Sequence, residues 1–252
     1  IPPNPDVSGI GIRIGIYIST GLIALLANPD TSNARLNELW EGLIISAGIN
    51  GFALLITAVI QTALHNLDLY HAIIVMHQLT FLGVTTASSG SYRARKLQLV
   101  YYLATTLAAG VLLAGWSMYV WIMARSFGAS LFPSRDPQCN DSVKYVIMFV
   151  TARATVSWVR WLSVTLISIT FLGSLLRVVM LTWVNVLGDD EVTNNDYGFL
   201  SYVSRGAYVY NVIILELTIK RNNIALGETV WSFGQIVPVV IAATSAINVL
   251  FF

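Results

Sequence analysis

Histidine and aspartate, which bind metal ions and transfer protons, cluster at the start of one apolar segment of the sequence. They are His65, Asp68, His71 and His77. A zinc site needs three or four ligands that converge on one point, whereas six residues turn a helix by about 240°, so His71 and His77 do not share a face. No His-x-x-x-His or Glu-x-x-His pair occurs. We therefore predict no metal site and no cofactor, and we assign these residues to helix entry and interfaces.

Other catalytic arrangements are equally sparse. The only lysines are Lys96, Lys144 and Lys220, and none lies in the last apolar segment, where a retinal Schiff base would need one. Cys139 is the single cysteine, so the sequence predicts a free thiol rather than an intrachain disulfide. No nucleophile with a neighbouring base is evident. The sequence therefore favours a protein that is not an enzyme.

Charged residues inside apolar sequence are the best candidates for function. The stretch 206–219 has 14 residues, about 21 Å of helix, which is too short to cross a ~30 Å hydrocarbon core and already contains Glu216. A longer helix brings in Arg205 or Lys220, and a similar calculation places Arg177 inside another span. Each charge costs roughly 2.5–3.5 kcal/mol at the membrane centre. These four residues form the candidate pathway or buried charge network.

Two interpretations of these charges remain open. Arg205 and Glu216 share a helix face but stand about 16 Å apart, whereas Glu216 and Lys220 are close enough to pair. In the first interpretation, Arg13 and Lys220 reach the lipid headgroups and Glu216 pairs with Lys220. In the second, Arg177, Arg205 and Glu216 line a polar interior or a water-filled path. We expect Glu216 to join a charged network with Arg177, Arg205 or Lys220 in either case.

The composition shows which elements must position these charges. Apolar residues make up 56% of the 252 residues and charged residues 11%, against about 25% in soluble proteins. The net charge of +1 offers no surface for nucleic acid. Seven apolar runs are long enough to cross a bilayer as helices, and they lack the alternation of a membrane barrel. They are 7–27, 40–63, 68–88, 97–124, 160–187, 199–220 and 230–251.

The predicted fold is therefore all-α: one integral membrane domain, 1–252, with about seven transmembrane helices joined by short loops. It would contact membrane lipids, in the plasma membrane or an organelle membrane. The longest connection, 125–159, becomes apolar at 143–150. We interpret that part either as an extension of the fifth helix or as an interfacial amphipathic helix.

Small residues predict close helix packing. Gly11, Gly15 and Ser19 step by four along one face of the first helix, and Gly110 and Ala114 repeat this spacing in the fourth. Such faces let helices approach each other within one chain or between subunits. With little polar surface available elsewhere, the sequence predicts a homo-oligomer.

Two short motifs carry a resemblance to a known group of proteins. Asn4-Pro5-Asp6 precedes a Gly-x-Gly-x-Arg string at 9–13, and the stretch 216–224 precedes a Trp-x-Phe-Gly-Gln string at 231–235. The chain thereby resembles uncharacterised fungal multi-pass membrane proteins of unassigned function. The resemblance implies a fungal integral membrane protein and supplies no activity or catalytic residue.

Two classes of function fit these observations. The first is a channel or transporter, homo-oligomeric, whose polar pathway uses the buried Arg and Glu residues and favours anions because arginines outnumber carboxylates there. The alternative is a structural or membrane-organising protein in which the charges only fix helix packing. A seven-helix receptor matches by helix count alone.

Overall fold

The fold was determined as a computed structural model that describes residues 4–26, 34–88, 96–128, 138–187, 197–222, 231 and 233–250. Most of these residues are helical. The elements are α1 Pro5–Ser8, α2 Ile10–Leu26, α3 Ala34–Ala63, α4 Leu69–Ser88, α5 Lys96–Ile122, α6 Gln138–Asp141, β1 Lys144–Ile147, β2 Val150–Arg153, α7 Ser157–Leu187, α8 Tyr197–Arg221 and α9 Phe233–Leu250. The seven long helices α2, α3, α4, α5, α7, α8 and α9 coincide with the seven predicted apolar segments.

Three helical stretches are long and apolar enough to cross a membrane: Pro5–Leu26, Glu38–Ala63 and Ser157–Met180. Within the described part of the chain, three more apolar helices are shorter: Leu69–Gly83, Leu107–Ile122 and Gly234–Val249. The charged helix α8 belongs to neither group. The chain is thus a helical membrane protein, and the count of seven spans stays a prediction.

Large apolar side chains cover much of the outside of the molecule, while several polar side chains lie inside. Phe52 on α3 and Ile169 on α7 are more than half exposed, whereas Arg13, Gln78 and Gln235 are buried. A soluble protein would bury its large apolar side chains and expose its charges. This distribution is the one expected of helices surrounded by lipid.

The ends of several helices meet at one end of the bundle, which we call the cap end. Asn4 Nδ2, before α1, donates a hydrogen bond of 2.9 Å to Gln61 Oε1 near the end of α3. Trp116 Nε1, near the end of α5, donates to Thr62 Oγ1 over 3.0 Å. The start of α2 and the ends of α3 and α5 therefore lie together, as helices of alternating direction require.

A β-hairpin stands where the sequence predicted helix. Strands β1 and β2 pair antiparallel, from Lys144 opposite Arg153 to Ile147 opposite Val150. Both helical interpretations of 143–150 were wrong, because β-branched and aromatic side chains favour strands and the segment is too short for a stable helix. The fifth long helix, α7, begins at Ser157 rather than at 160. Within the described residues, the hairpin is the exception to the predicted all-α fold.

Helix α2 packs closely against α9 through its small residues. A Cβ added at Gly15 would lie 2.8 Å from the carbonyl carbon of Pro238, and one added at Gly11 would lie 2.6 Å from the carbonyl oxygen of Gln235. Ser19, the third residue of this predicted packing face, is buried. The face therefore packs within the chain, which is the first of the two alternatives, and the homo-oligomer stays a prediction that this face does not support.

The opposite face of α2 packs antiparallel to α8. A Cβ added at Gly21 would lie 3.1 Å from the Tyr208 hydroxyl oxygen, and Arg205 Nε donates to the carbonyl oxygen of Ala24 over 3.4 Å. Helix α4 also contacts α8, since the rings of Phe81 and Tyr208 have centroids 5.6 Å apart. Helix α2 thus lies between α8 and α9.

Candidate functional site

A break between α1 and α2 prepares the position of Arg13. Helix α1 ends at Ser8, and α2 begins after Gly9, whose carbonyl oxygen accepts the Arg13 N–H over 3.2 Å. The Ser8 carbonyl oxygen accepts a bond of 3.2 Å from Arg13 Nε. Arg13 is only 8% exposed. Its guanidinium is therefore fixed inside the bundle, and the interpretation that Arg13 reaches the headgroups was wrong.

The partner of Arg13 is Glu216 on α8. Arg13 Nη1 donates to Glu216 Oε1 in an ion pair, and the Tyr17 hydroxyl donates to the same oxygen over 2.7 Å. Arg13 and Tyr17 are four residues apart, so both reach α8 from one face of α2. The Arg13 side chain is 10% exposed, whereas that of Glu216 is 46% exposed. The pair thus joins a buried cation to an anion that lies on an open face.

The predicted partners of Glu216 do not form this network. In the described residues, Glu216 makes no ion pair with Lys220 or Arg205. Arg205 instead donates to a carbonyl of α2 and lies over the Tyr202 ring at 5.9 Å. The side chain of Arg177 lies outside the described residues. Glu216 is therefore paired with Arg13, which the sequence analysis did not propose as its partner, and a contact with Arg177 stays a prediction.

The exposed side of α8 carries a line of residues that we call the α8 stripe. Their spacing of three or four residues puts them on one helix face. Val209 is 55% exposed and Ile213 is 42% exposed. The members of the α8 stripe are Arg205, Val209, Ile213, Glu216 and Lys220. Arg205 and Glu216 thus share a face, as their spacing predicted, and that face is uncovered.

A buried amide completes the polar interior near Arg13. Gln235 on α9 is fully buried, and its Oε1 accepts the backbone N–H of Gly11 over 2.9 Å. Because the first N–H groups of a helix lack intrahelical partners, Gln235 acts as a cap supplied by another helix. The sequence analysis missed this role and that of Tyr17. The position of Tyr17 four residues after Arg13 was the available signal.

The histidine cluster has a structural role at the start of α4. Asp68 Oδ1 accepts the backbone N–H of His71 over 2.9 Å and contacts its ring Nδ1 at 2.8 Å. Asp68 is therefore the N-cap of α4. Within the described part of the chain, no three His, Cys, Asp or Glu residues lie close enough to hold a metal ion. The geometry at Asp68 and His71 agrees with the helix-entry interpretation.

Comparison with known proteins does not place the chain in a family. No protein family, curated protein or solved structure matches the chain. The resemblance to fungal multi-pass membrane proteins therefore stays a prediction. The function has to be inferred from the Arg13–Glu216 pair and the α8 stripe.

Proposed function

We propose that the protein is a channel or transporter that works as a homo-oligomer and conducts along the α8 stripe. The observation that carries this proposal is the exposure of Glu216. Its side chain is 46% exposed although its partner Arg13 is buried. A carboxylate at membrane depth is costly in contact with lipid, so it faces protein or a water-filled cavity.

The arrangement of helices supports this proposal. Seven long helices coincide with seven apolar segments. The start of α2 and the ends of α3 and α5 meet at the cap end, as is expected of spans that alternate in direction. We propose that all seven cross the membrane. The α8 stripe is then the charged surface left open by one copy, and other copies enclose it around a shared pathway.

The charge of this surface favours anions. The Glu216 carboxylate is balanced by Arg13, so this pair contributes no net charge to the pathway. Arg205 and Lys220 lie on the same face, and neither makes an ion pair with a described acidic side chain. A path with this excess of positive charge attracts anions and repels cations.

A structural or membrane-organising role is the second candidate. The observation that favours it is the tight fixation of Arg13, which bonds the Ser8 carbonyl as well as Glu216. A charge network that only joins helices needs no open path. The two candidates differ in whether water reaches the α8 stripe.

Reconstitution in liposomes tests the proposal. We expect chloride flux above that of empty liposomes, a complex mass of at least two chains, and a several-fold loss of flux in Arg205→Gln. Glu216→Gln should raise chloride flux or destabilise the protein, because Arg13 loses its counter-charge. Arg221→Gln is the matched control and should conduct like the wild type, because Arg221 lies on the same helix but is turned about 160° away from Arg205.

Absence of flux from a folded, oligomeric preparation would overturn the transport proposal and favour the organising role. Flux that is equal in Arg205→Gln and wild type would exclude the α8 stripe as the pathway. A protein that stays monomeric in mild detergents and in nanodiscs would exclude the shared pathway.

A further inference from the structure

The β1–β2 hairpin combines an apolar tip with a basic base. At the tip, Met148 is 75%, Phe149 56% and Val150 62% exposed. At the base, Lys144 and Arg153 are paired in register and both are exposed. Like charges placed directly opposite each other destabilise an antiparallel pair. Neither cation forms an ion pair with a described acidic side chain, so a bound anion would relieve this repulsion.

The backbone conformation of the turn disfavours the two residues found there, Met148 and Phe149. Met148 has a φ of 46° and Phe149 a φ of 69°, so both occupy the left-handed region. A two-residue turn with positive φ at both positions is best filled by Asn-Gly. Two large apolar residues strain such a turn, so contacts have to favour them. The Phe149 ring meets the edge of the Tyr210 ring, with centroids 6.0 Å apart, but Phe149 stays 56% exposed and Met148 75% exposed. Most of the apolar surface of the tip is therefore left for a further contact.

The hairpin runs along α8 from the helix end towards the helix middle, which lies in the membrane interior on the proposal above that α8 crosses the bilayer. At its base, the Lys144 N–H donates to Asn222 Oδ1 over 2.8 Å, and Asn222 Nδ2 donates to the Lys144 carbonyl over 2.6 Å. At its tip, the Met148 N–H donates to the Tyr210 hydroxyl over 3.3 Å. Tyr210 lies eleven residues before Arg221, about 16 Å along the helix. The tip therefore lies deeper than the base.

We propose that the hairpin binds an anionic phospholipid, with the phosphate between Lys144 and Arg153 and the acyl chains against the tip. Four strand residues span about 13 Å, and the headgroup layer is about 5–8 Å deep on each side of a bilayer. A hairpin whose base lies among phosphates therefore reaches the upper acyl chains. Lipid binding at this surface does not depend on transport along α8.

Native mass spectrometry of the full chain in detergent tests the choice of lipid. With phosphatidylglycerol and phosphatidylcholine offered equally, we expect at least about fivefold more phosphatidylglycerol to be retained, since each basic residue near a membrane surface contributes about fivefold. Lys144→Gln/Arg153→Gln should lose this preference. Arg93→Gln/Arg95→Gln removes the same charge elsewhere in the chain and should keep it.

A second variant separates the apolar tip from the fold of the hairpin. Met148→Asn/Phe149→Gly suits the turn and removes the apolar tip. Without lipid its melting temperature should equal or exceed that of the wild type. Phosphatidylglycerol should raise the melting temperature of the wild type, because a ligand of the folded state stabilises it, and should raise that of the variant by less than half as much.

Four results would overturn the proposal. The first is equal retention of the two lipids by the wild type. The second is the same loss of preference in Arg93→Gln/Arg95→Gln, which would indicate net charge rather than this surface. The third is an equal rise in melting temperature with soluble glycerol phosphate, which would indicate a site for free anions. A tip variant that keeps the full lipid response would likewise exclude the tip.

Discussion

Helices α2 and α7 each belong to a stretch that is long and apolar enough to cross a membrane, yet they are packed in opposite ways. In Pro5–Leu26, which contains α2, 56% of the apolar window is buried, whereas in Ser157–Met180, which lies within α7, the buried share is 6%. Helix α2 approaches α9 at Gly15 and forms an ion pair with α8. Helix α7 packs along α5, and its Arg160 Nε donates to the Trp121 carbonyl oxygen over 3.0 Å.

This difference shows what holds the bundle together. Lipid tails are as apolar as leucine, so burying leucine against another helix gains little over leaving it in lipid. Close backbone approach and polar bonds between helices supply the attraction instead. We therefore expect substitutions in α2 to be far more damaging than equal substitutions on the open face of α7.

The largest effect should follow from Arg13→Leu. Among the contacts of the described residues, Glu216 then keeps the bond from Tyr17, and the Ser8 carbonyl oxygen loses the Arg13 donor. Breaking a fully buried ion pair costs about 3–5 kcal/mol of stability. Because Glu216 is half exposed, we expect a loss of about 2–3 kcal/mol. This loss corresponds to a fall in melting temperature of roughly 5–10 °C.

The double variant Arg13→Leu/Glu216→Leu is the control for Arg13→Leu. It removes both charges and should recover at least half of the lost melting temperature, because no uncompensated ion remains. A wild-type melting temperature for Arg13→Leu alone would show that the ion pair contributes nothing to the packing of α2.

A smaller effect is expected for Gly15→Leu. The added side chain has to occupy the place of Pro238, so overpacking should cost about 1–3 kcal/mol, or roughly 5 °C in melting temperature. Gly173→Leu on α7 is the matched control, since a Cβ there meets nothing within 4 Å. Equal melting temperatures for the two variants would contradict the comparison between α2 and α7.

The smallest effect concerns Tyr145 in β1 and is confined to high pH. Burial, with a lesser contribution from nearby Tyr210, raises the pKa of Tyr145 from 10.0 to about 12. The unfolded chain therefore releases this proton first, and the stability due to the buried neutral phenol is lost as the pH rises from about 10 to 12. Tyr145→Phe should match the wild type at pH 8 in thermal unfolding and lose less stability above pH 10. A parallel loss in both proteins would contradict this assignment.

Much of the bundle could be predicted from local sequence. The seven apolar segments match seven long helices because a run of about 20 apolar residues is typical of a helix that crosses a membrane. The length of 206–219 alone predicted that Glu216 lies at membrane depth, and this stays a prediction. The small-residue face of α2 could be predicted from its four-residue steps.

The partners could not be predicted in the same way. Spacing identifies pairs within one helix, such as Glu216 with Lys220, whereas Arg13 and Glu216 meet only through the order in which α2 and α8 pack. The strand propensity of 143–150 is local, but the contact that fixes the hairpin against α8 is not, since Lys144 is bonded to the distant Asn222. Long-range pairing decided both outcomes.

The central claim is that water reaches the α8 stripe, and cysteine accessibility at Ile213 tests it most directly. In a Cys139→Ser background, Ile213→Cys on the α8 stripe is compared with Ile169→Cys on the exposed face of α7. A membrane-impermeant sulfonated thiol reagent is applied to proteoliposomes while chloride flux is recorded. We predict that Ile213→Cys is modified and its flux falls, while Ile169→Cys is neither modified nor slowed. Modification of Ile169→Cys with an unreactive Ile213→Cys would contradict the proposed pathway.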